Sequence, residues 1–342
     1  MPSSFSSKPT IADIAEAAGV STTTVARVLH DRPDVKESTR QRVRLVIDQL
    51  GYRGAQTRSY EASESIRYVT VIAHAVDNEY IGTVMRGVLD QLELDSYEPV
   101  LHLTQADLTR EIDYVRVAQR TGSDGLLVVT PRMRDRDLSD LVGGGVPYVF
   151  IDYYPDSPAV PCVRATNWQG ARDATNYLVS LGHRRIGFVA GRRGDQITEA
   201  REHGYRSALA EAKEPFRPEL IRDGDYGLVS GYRAAAELLA LDQRPTAIFA
   251  SSDMMAMGVI QAAHANGLRV PEDLSVVGFD DLPLAESLYP PLTTVRQPLY
   301  EMGRMAAQMV TTLSNGEELV SRQIELPTQL IVRGSCYGLD LG

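Results

Sequence analysis

TIADIAEAAGVSTTTVARVL, residues 10–29, has the pattern of two short helices joined by a tight turn. Apolar residues recur at helical spacing behind Thr10, which is a good helix N-cap. Gly19 can adopt the left-handed backbone that ends a helix, and Ser21 can cap the helix that follows. A helix–turn–helix of this kind presents its second helix to the major groove of DNA. The stretch alone therefore favours DNA binding, with an ordinary helical hairpin as the alternative.

The charge distribution is typical of a small DNA-contacting head on an acidic body. The whole chain has a net charge of −10, which argues against a protein that coats nucleic acid. Residues 1–58 contain nine Lys or Arg against six Asp or Glu, a balance of +3, so the remainder carries −13. We expect the head to contact phosphates while the body is repelled, which keeps the contact with DNA local.

Length and composition set further limits. At 342 residues, of which 43% are hydrophobic, the chain should divide into two or three domains with substantial cores. No stretch approaches the roughly 20 apolar residues of a membrane span, and the N-terminus lacks the apolar core of a secretion signal. Cys162 and Cys336 lie far apart without metal-ligand spacing. We therefore expect a cytoplasmic protein with no disulfide framework, no metal and no cofactor.

The remaining sequence predicts a third helix, a linker and two α/β lobes. The third helix should cover 37–50, and the polar stretch RGAQTRSYEASESIR (53–67) is typical of a linker. Beyond it, short β-branched strands alternate with helices, and this rhythm restarts after Thr166, which indicates two parallel sheets covered by helices. Ligands of such sheets bind beyond the carboxyl ends of the strands. The predicted strands are 68–73, 99–103, 125–129, 147–152, 184–191, 246–251 and 274–280.

With head, linker and two α/β lobes in this order, the chain resembles the lactose-repressor (LacI/GalR) family of bacterial transcription regulators. The resemblance covers nearly all 342 residues. Seven segments carry it: TIADIAEAAGVSTTTVARVLH (10–30), VKESTRQRV…LGY (35–52), SLGHRRIGFVAG (180–191), REHGYRSAL (201–209), FASSDMMAMGVIQAAHANGLRVPEDLSVVGFDD (249–281), PPLTTVRQP (290–298) and LPTQLIVRGS (326–335).

The resemblance implies a homodimeric repressor that reads a palindromic operator, with a small effector between the lobes changing its affinity for DNA. It implies a three-helix helix–turn–helix domain, a hinge, and a periplasmic-binding-protein-like core of two doubly wound parallel-sheet lobes. No heptad repeat follows Cys336, which favours a dimer over a tetramer. The chain should cross between the lobes near 163–166, 294–298 and 324–327. The implied domains are the head (1–52), the hinge (53–67), a first lobe (68–164 plus about 297–325) and a second lobe (165–296 plus about 326–342).

The resemblance also places the residues that contact DNA. Thr22 and Thr23 occupy base-reading positions, and a threonine can offer a methyl group or a hydroxyl to a base edge. The family hinge usually carries a leucine that wedges into the minor groove, and here either Tyr60 or Glu61 takes that position. We prefer Tyr60, because a carboxylate facing phosphates is unfavourable, and we expect the hinge to be disordered without DNA and helical with it. The predicted DNA-contacting residues are Thr10, Ser21, Thr22, Thr23, Thr24, Arg27, Arg40 and Tyr60.

For the effector, the resemblance singles out Arg201, three residues before Gly204, and Asp280, which follows a predicted strand. A guanidinium donates and a carboxylate accepts, so this pair suits the vicinal hydroxyls of a sugar or the edges of a purine. Tyr226 falls where the family often places an aromatic that stacks on the ligand, with a core tyrosine as the alternative, and Asp281 is expected to be a structural cap. The other predicted effector residues are Ser252, Asp253, Asp152, Asn167, His74, Asn78, Tyr80 and Thr130.

Other functions remain as alternatives. An enzyme is disfavoured, because the sequence has no nucleophile elbow, no P-loop and no metal-ligand cluster. The GRRGD stretch (191–195) could hold phosphate but lacks the spacing of a dinucleotide-binding loop. A secreted sugar-binding protein would share the two lobes but not the head. The effector is expected to be a sugar or sugar derivative, with a purine or nucleoside, a phosphosugar or a protein co-repressor as alternatives.

Overall fold

The structure is a computed structural model that describes residues 10–29, 32, 35–50, 66–76, 79–143 and 145–339. The predicted hinge residues Tyr60 and Glu61 and the predicted effector residue Asn78 lie outside these ranges. Two compact units are present, one within residues 1–65 and one within 66–342. No helix in the described ranges is long and apolar enough to cross a membrane.

The first unit is a three-helix head of α1 (Ile11–Ala18), α2 (Thr22–Leu29) and α3 (Glu37–Leu50). The Thr10 side chain accepts a hydrogen bond from the amide of Asp13, whose carboxylate accepts one from the amide of Thr10, so the pair caps α1 reciprocally. Gly19, at φ +62°, ends this helix as its sequence predicts. One apolar cluster joins the three helices: Ile14, Ala15, Ala18, Val25, Val28, Val43 and Val46.

The second unit contains two six-stranded sheets. Its strands are β1 (Tyr68–Ala73), β2 (Glu98–Leu103), β3 (Gly125–Val129), β4 (Tyr148–Ile151), β5 (Cys162–Ala165), β6 (Ile186–Ala190), β7 (Ile221–Asp223), β8 (Ala247–Ala250), β9 (Ser275–Asp280), β10 (Thr293–Arg296), β11 (Gln323–Leu326) and β12 (Gln329–Ile331). The first sheet has the order β11-β5-β4-β3-β1-β2 and the second has the order β12-β10-β9-β8-β6-β7. All pairings are parallel except that of β10 with β12.

Helices cover both faces of each sheet, so each lobe is doubly wound, and the predicted fold class is confirmed. Alternate residues of a strand face opposite sides: Val71 packs in one cluster of the first lobe and Ile72 in the other. The helices are α4 (Glu79–Leu94), α5 (Leu108–Thr121), α6 (Asp135–Val142), α7 (Asn167–Ser180), α8 (Gln196–Glu211), α9 (Leu228–Leu239), α10 (Asp253–Ala265), α11 (Pro283–Ser287) and α12 (Leu299–Ser314), with a 3₁₀ turn at Pro218–Leu220.

The chain passes between the two lobes three times. It leaves the first sheet after β5 and enters the second at β6, with α7 between them. It returns after β10 through α12, which packs on α4 of the first lobe, and leaves again between β11 and β12. Each lobe is therefore assembled from segments that are distant in the sequence.

The close contact between α4 and α12 depends on glycine. A Cβ atom on Gly87 would lie 2.0 Å from the carbonyl oxygen of Tyr300, and one on Gly303 would lie 2.0 Å from the carbonyl oxygen of Val84. Both distances are far inside van der Waals contact, so each helix presents a glycine to the backbone of the other. The two helices can approach this closely because neither residue has a side chain.

Candidate functional site

The predicted DNA-contacting residues of the head lie on its surface. Thr22, Thr23 and Arg27 are exposed, whereas Val25 and Val28 of the same helix face the core. This arrangement leaves one polar face of α2 available for contact with a groove of DNA.

Other predicted DNA-contacting side chains take part in bonds within the head. The hydroxyl groups of Thr24 and Ser21 lie 2.8 Å apart, and the amide of Thr24 donates to Oγ of Ser21 at 3.1 Å. Arg40 donates through Nη2 to the carbonyl oxygen of Arg32 at 2.6 Å. Thr10 belongs to the cap of α1. These contacts cap the starts of α1 and α2 and tie α3 to Arg32.

In the second unit, polar residues follow the carboxyl ends of several strands and meet where the lobes face one another. His74 follows β1, Thr130 follows β3 and Asp152 follows β4, all in the first lobe. Ser251 follows β8, and Asp280 ends β9 in the second lobe. Because the strands of each sheet are parallel, these ends lie at one edge of the sheet, where open α/β sheets bind ligands.

Arg201 lies at the centre of this site. Its side chain extends from α8 and is 2% exposed. The guanidinium donates through Nε to Oδ1 of Asn167 at 2.9 Å and through Nη1 to the carbonyl oxygen of Ser251 at 2.5 Å. Its Cζ lies 3.8 Å from the centroid of the Phe279 ring, which fixes the plane of the guanidinium. Asn167 and Ser251 thus orient Arg201 from two sides.

Asp280 faces Arg201 without forming a close ion pair. Its Oδ1 lies 3.9 Å from Nη2 of Arg201 and accepts a hydrogen bond of 2.7 Å from Nε2 of Gln297. Burial raises the pKa of Asp280 to about 7, although Arg201 and the Gln297 hydrogen bond favour the charged form. The carboxyl group therefore changes its charge close to neutral pH.

The first lobe contributes a second carboxylate. Oδ2 of Asp152 accepts a hydrogen bond of 2.6 Å from the Tyr80 hydroxyl, and Oδ1 accepts one of 3.4 Å from Nδ2 of Asn167. Burial, together with the charge of Asp152, raises the pKa of Tyr80 well above its usual range, so the phenol keeps its proton and donates. Nearby, Nδ1 of His74 lies 3.1 Å from Oγ1 of Thr130. Asn167 consequently links Asp152 of the first lobe to Arg201 of the second.

Tyr226 and Ser252 form part of the wall on the side of the second lobe. The Tyr226 hydroxyl lies 2.6 Å from Oγ1 of Thr198, and its ring centroid lies 5.9 Å from Cζ of Arg201. Ser252 caps α10 by accepting from the amide of Met255 at 3.1 Å, and its hydroxyl donates to the carbonyl oxygen of Tyr226 at 3.1 Å. The Ser252 side chain therefore positions Tyr226 as well as the helix.

Asp253, also predicted to bind the effector, is directed into the second lobe. It is fully buried, its Oδ1 accepts from the Thr294 hydroxyl at 2.5 Å, and its Oδ2 accepts from the Leu282 amide at 2.8 Å. Both carboxylate oxygens are thus occupied by the lobe itself. Asp281, expected to be structural, is held by Arg296 at 2.6 Å and by Arg333 at 2.7 Å.

Two further residues belong to the site although the sequence did not single them out. Oγ of Ser251 and Oε1 of Gln297 are buried and have no hydrogen-bond partner among the described residues. Gln297 lies in a predicted lobe crossing and Ser251 precedes the predicted Ser252, so position along the chain was the available signal. Buried polar atoms normally have partners, and these two lie on residues that bond Asp280 and Arg201 directly.

Strained backbone accompanies the site. Four of the described residues that were predicted to bind the effector have left-handed φ values that non-glycine residues rarely adopt. Such strain concentrates at functional sites, where the surrounding structure holds it in place. The residues are Thr130 (+47°), Asp152 (+56°), Tyr226 (+71°) and Asp280 (+122°).

Comparison with known proteins gives consistent matches over nearly all of the chain. A family described as bacterial regulatory proteins, lacI family, matches residues 10–54, and a periplasmic binding protein-like domain matches residues 175–336. Catabolite control protein A of Priestia megaterium is 34% identical over 327 residues, covering 95% of this chain and 98% of that protein. The HTH-type transcriptional repressor PurR of Photobacterium profundum is 32% identical over 333 residues, covering 97% and 99%.

Solved structures agree in fold over similar lengths. The complex of the transcriptional regulator CelR with cellobiose superposes with a TM-score of 0.74 at 31% identity, covering 96% of this chain and 99% of that one. A Lac repressor dimer bound to operator and the anti-inducer ONPF superposes with a TM-score of 0.74 at 26% identity, covering 97% and 100%.

Proposed function

The chain belongs to the lacI family of bacterial regulatory proteins, and from this membership we propose that a small molecule held between its two lobes sets its affinity for operator DNA. The protein is a DNA-binding transcriptional regulator rather than an enzyme. We infer that it represses transcription as a homodimer on a palindromic operator in the cytoplasm.

One observation carries the effector proposal: the guanidinium of Arg201 is buried between the lobes beside polar atoms that lack partners among the described residues. Arg201 donates a hydrogen bond to Asn167, at the first crossing between the lobes. Gln297, at the second crossing, donates one to Asp280. A buried polar atom without a partner costs about 1–3 kcal/mol. A ligand that supplies partners to Ser251 and Gln297 would recover this free energy and would bridge the two lobes at once.

The chemistry of the site favours a sugar or sugar derivative. Arg201 donates, Asp280 and Asp152 accept, and the ring of Tyr226 offers an apolar face, which together match a ring that bears hydroxyl groups. The structure of CelR, a relative in fold and sequence, holds cellobiose. We therefore propose that Arg201, Asp280, Asp152, Tyr226 and Gln297 contact the effector.

For the head, we propose that Thr22 and Thr23 read base edges in the major groove. Arg27 and Arg40 contact phosphates, and Thr24 with Ser21 positions the second helix. Tyr60 is proposed as the hinge residue that enters the minor groove. A dimer brings two such heads to the two halves of a palindrome.

The test is a thermal-shift screen of the full chain against neutral mono- and disaccharides, with purine bases and nucleosides as a second set. A compound that binds the folded state raises the melting temperature. We expect at least one sugar to do so and Arg201→Ala to abolish the shift. Arg206→Ala is the matched control, because Arg206 lies on the same helix but pairs with Glu202 on the outer surface. A shift that survives in Arg201→Ala would contradict the proposed site.

A further inference from the structure

The balance of charge between the lobes points to a more specific ligand. We propose that this site accepts an uncharged polyhydroxyl molecule and excludes the phosphorylated form of the same molecule. The inference rests on the proposed function, since it concerns the effector of the same cleft. It decides between two kinds of effector, a free sugar and a phosphosugar, that the sequence left open.

Buried acidic side chains outnumber buried basic ones at this site. Arg201 is the single buried Lys or Arg in the described part of the chain. The acidic side chains buried with it at this site are Asp152, 4% exposed, and Asp280, 6% exposed. A phosphate ester would bring up to two further negative charges into this surrounding. One guanidinium, already shared with Asp280, cannot neutralise them.

The site also needs a ligand that donates hydrogen bonds. Nε2 of Gln297 is occupied by Asp280, so its carbonyl oxygen is the atom left without a partner among the described residues. The Tyr80 hydroxyl already donates to Asp152. A sugar hydroxyl can donate to such acceptors and still accept from Arg201, whereas phosphate oxygens mainly accept. A polyol hydroxyl can therefore satisfy these atoms, whereas a phosphate group in the same place could not donate to them.

The arginines around the buried part of the site lie near acceptors of their own. Arg193 pairs with Asp223, and its side chain is 83% exposed. Arg132, from the first lobe, donates through Nη1 to the carbonyl oxygen of Ala106 at 2.7 Å. Burial raises the pKa of Asp195, while the nearby charges of Arg192 and Arg132 lower it, so an acidic side chain lies near both guanidinium groups. The loop before α8 thus holds acidic side chains close to its arginines, which opposes the binding of a phosphate there.

The experiment compares matched pairs of sugars by thermal shift and by isothermal titration calorimetry on the full chain. The pairs are D-glucose and D-glucose 6-phosphate, D-ribose and D-ribose 5-phosphate, trehalose and trehalose 6-phosphate, and cellobiose and cellobiose 6-phosphate. We expect at least one neutral member to bind, with its phosphate at least tenfold weaker. Asp280→Asn should reduce the difference in affinity between the neutral sugar and its phosphate, because it removes an acidic group from the site. Arg206→Ala should leave this difference in affinity unchanged.

Two results would overturn the inference while leaving the proposed function intact. One is a phosphorylated member that binds as tightly as its neutral partner and loses affinity in Arg201→Ala. The other is a phosphate whose binding survives Arg201→Ala but is lost in Arg192→Ala, which would place it at the loop before α8. If no member of any pair binds, the proposed sugar effector is contradicted, and so is the proposed selection against its phosphate.

Discussion

Nε of Arg201 donates a 2.9 Å hydrogen bond to Oδ1 of Asn167, so the central cation of the second lobe is tied to the first point at which the chain crosses between lobes. The other end of the same amide group donates to Asp152 of the first lobe. Asn167 is fully buried, and these two bonds, with a third of 3.2 Å from Nδ2 to the carbonyl oxygen of Ala165, fix the direction of its amide. A ligand that shifts the side chain of Arg201 would therefore also affect Asn167, where the chain crosses between the lobes.

Asn167→Ala should destabilise the folded protein. It leaves Nε of buried Arg201 without an acceptor and removes a donor from Asp152, and an unsatisfied buried group costs about 1–3 kcal/mol. Urea unfolding followed by circular dichroism measures the loss. Ser180→Ala, at the exposed end of the same helix, is the control and should change stability by less than about 0.5 kcal/mol. Equal stability of the two variants would show that the hydrogen bonds of Asn167 to Arg201 and Asp152 contribute nothing to the free energy of unfolding.

Gly87→Ala should lower stability by about 1–3 kcal/mol, because its Cβ would lie 2.0 Å from the carbonyl oxygen of Tyr300 and would force α4 away from α12. Gly82→Ala, in the same helix, is the matched control: its Cβ meets nothing within 4 Å, and replacing a helical glycine by alanine favours the helix. In thermal unfolding, the melting temperature should fall for Gly87→Ala and rise slightly for Gly82→Ala. A neutral Gly87→Ala would contradict the close helix contact.

The charge on Asp280 should make stability depend on pH. Its folded-state pKa of about 7 lies above the ordinary value of about 3.9 for an unfolded aspartate. The folded state therefore holds a proton more strongly, so this contribution to stability is full below about pH 4 and is lost as the pH rises to about 7.

Asp280→Asn isolates this effect, because the amide does not titrate. The stability of the unsubstituted protein relative to Asp280→Asn should fall between pH 5 and pH 8 by more than about 1.4 kcal/mol, the equivalent of one pKa unit. Urea midpoints at four pH values give the difference. A constant difference, or one that grows with pH, would contradict the buried titrating carboxyl.

In the hinge, Tyr60→Ala should weaken operator binding at least about tenfold, because it removes the ring expected to enter the minor groove. Glu61→Ala should leave binding unchanged or strengthen it, since it removes a carboxylate near phosphates. Fluorescence anisotropy with an operator selected from genomic fragments measures both, at one stated salt concentration. If Glu61→Ala causes the larger loss, the two positions have been assigned the wrong way round.

Much of the fold could be predicted from the sequence because its local signals agree with its tertiary contacts. The capping residues Thr10 and Ser21 and the helix-ending Gly19 marked the head, and the apolar run of β1 has the bounds that the sequence predicted. Helices rich in polar residues, such as α5, and short edge strands, such as β7, were not predicted, since they bury few side chains and show a weak pattern.

The site was predictable only in part. Arg201 and Asp280 came from matching motifs, and the structure brings them together. The sequence could not show that the side chain of Asp253 faces Leu282 and Thr294 rather than the cleft, because a position at the end of a strand does not give the direction of a side chain. Gln297 was missed because an unpaired buried amide oxygen is a property of three-dimensional packing.

The most direct measurement is the operator affinity of the full-length protein with and without the sugar that gives the largest thermal shift. An effector held by both lobes should change the dissociation constant of the operator by about 5–150-fold, the usual range of allosteric coupling. Arg206→Ala should show the same change, whereas Arg201→Ala should bind the operator but show no response to the sugar. A response of Arg201→Ala equal to that of the unsubstituted protein would contradict the control of DNA binding through this cleft.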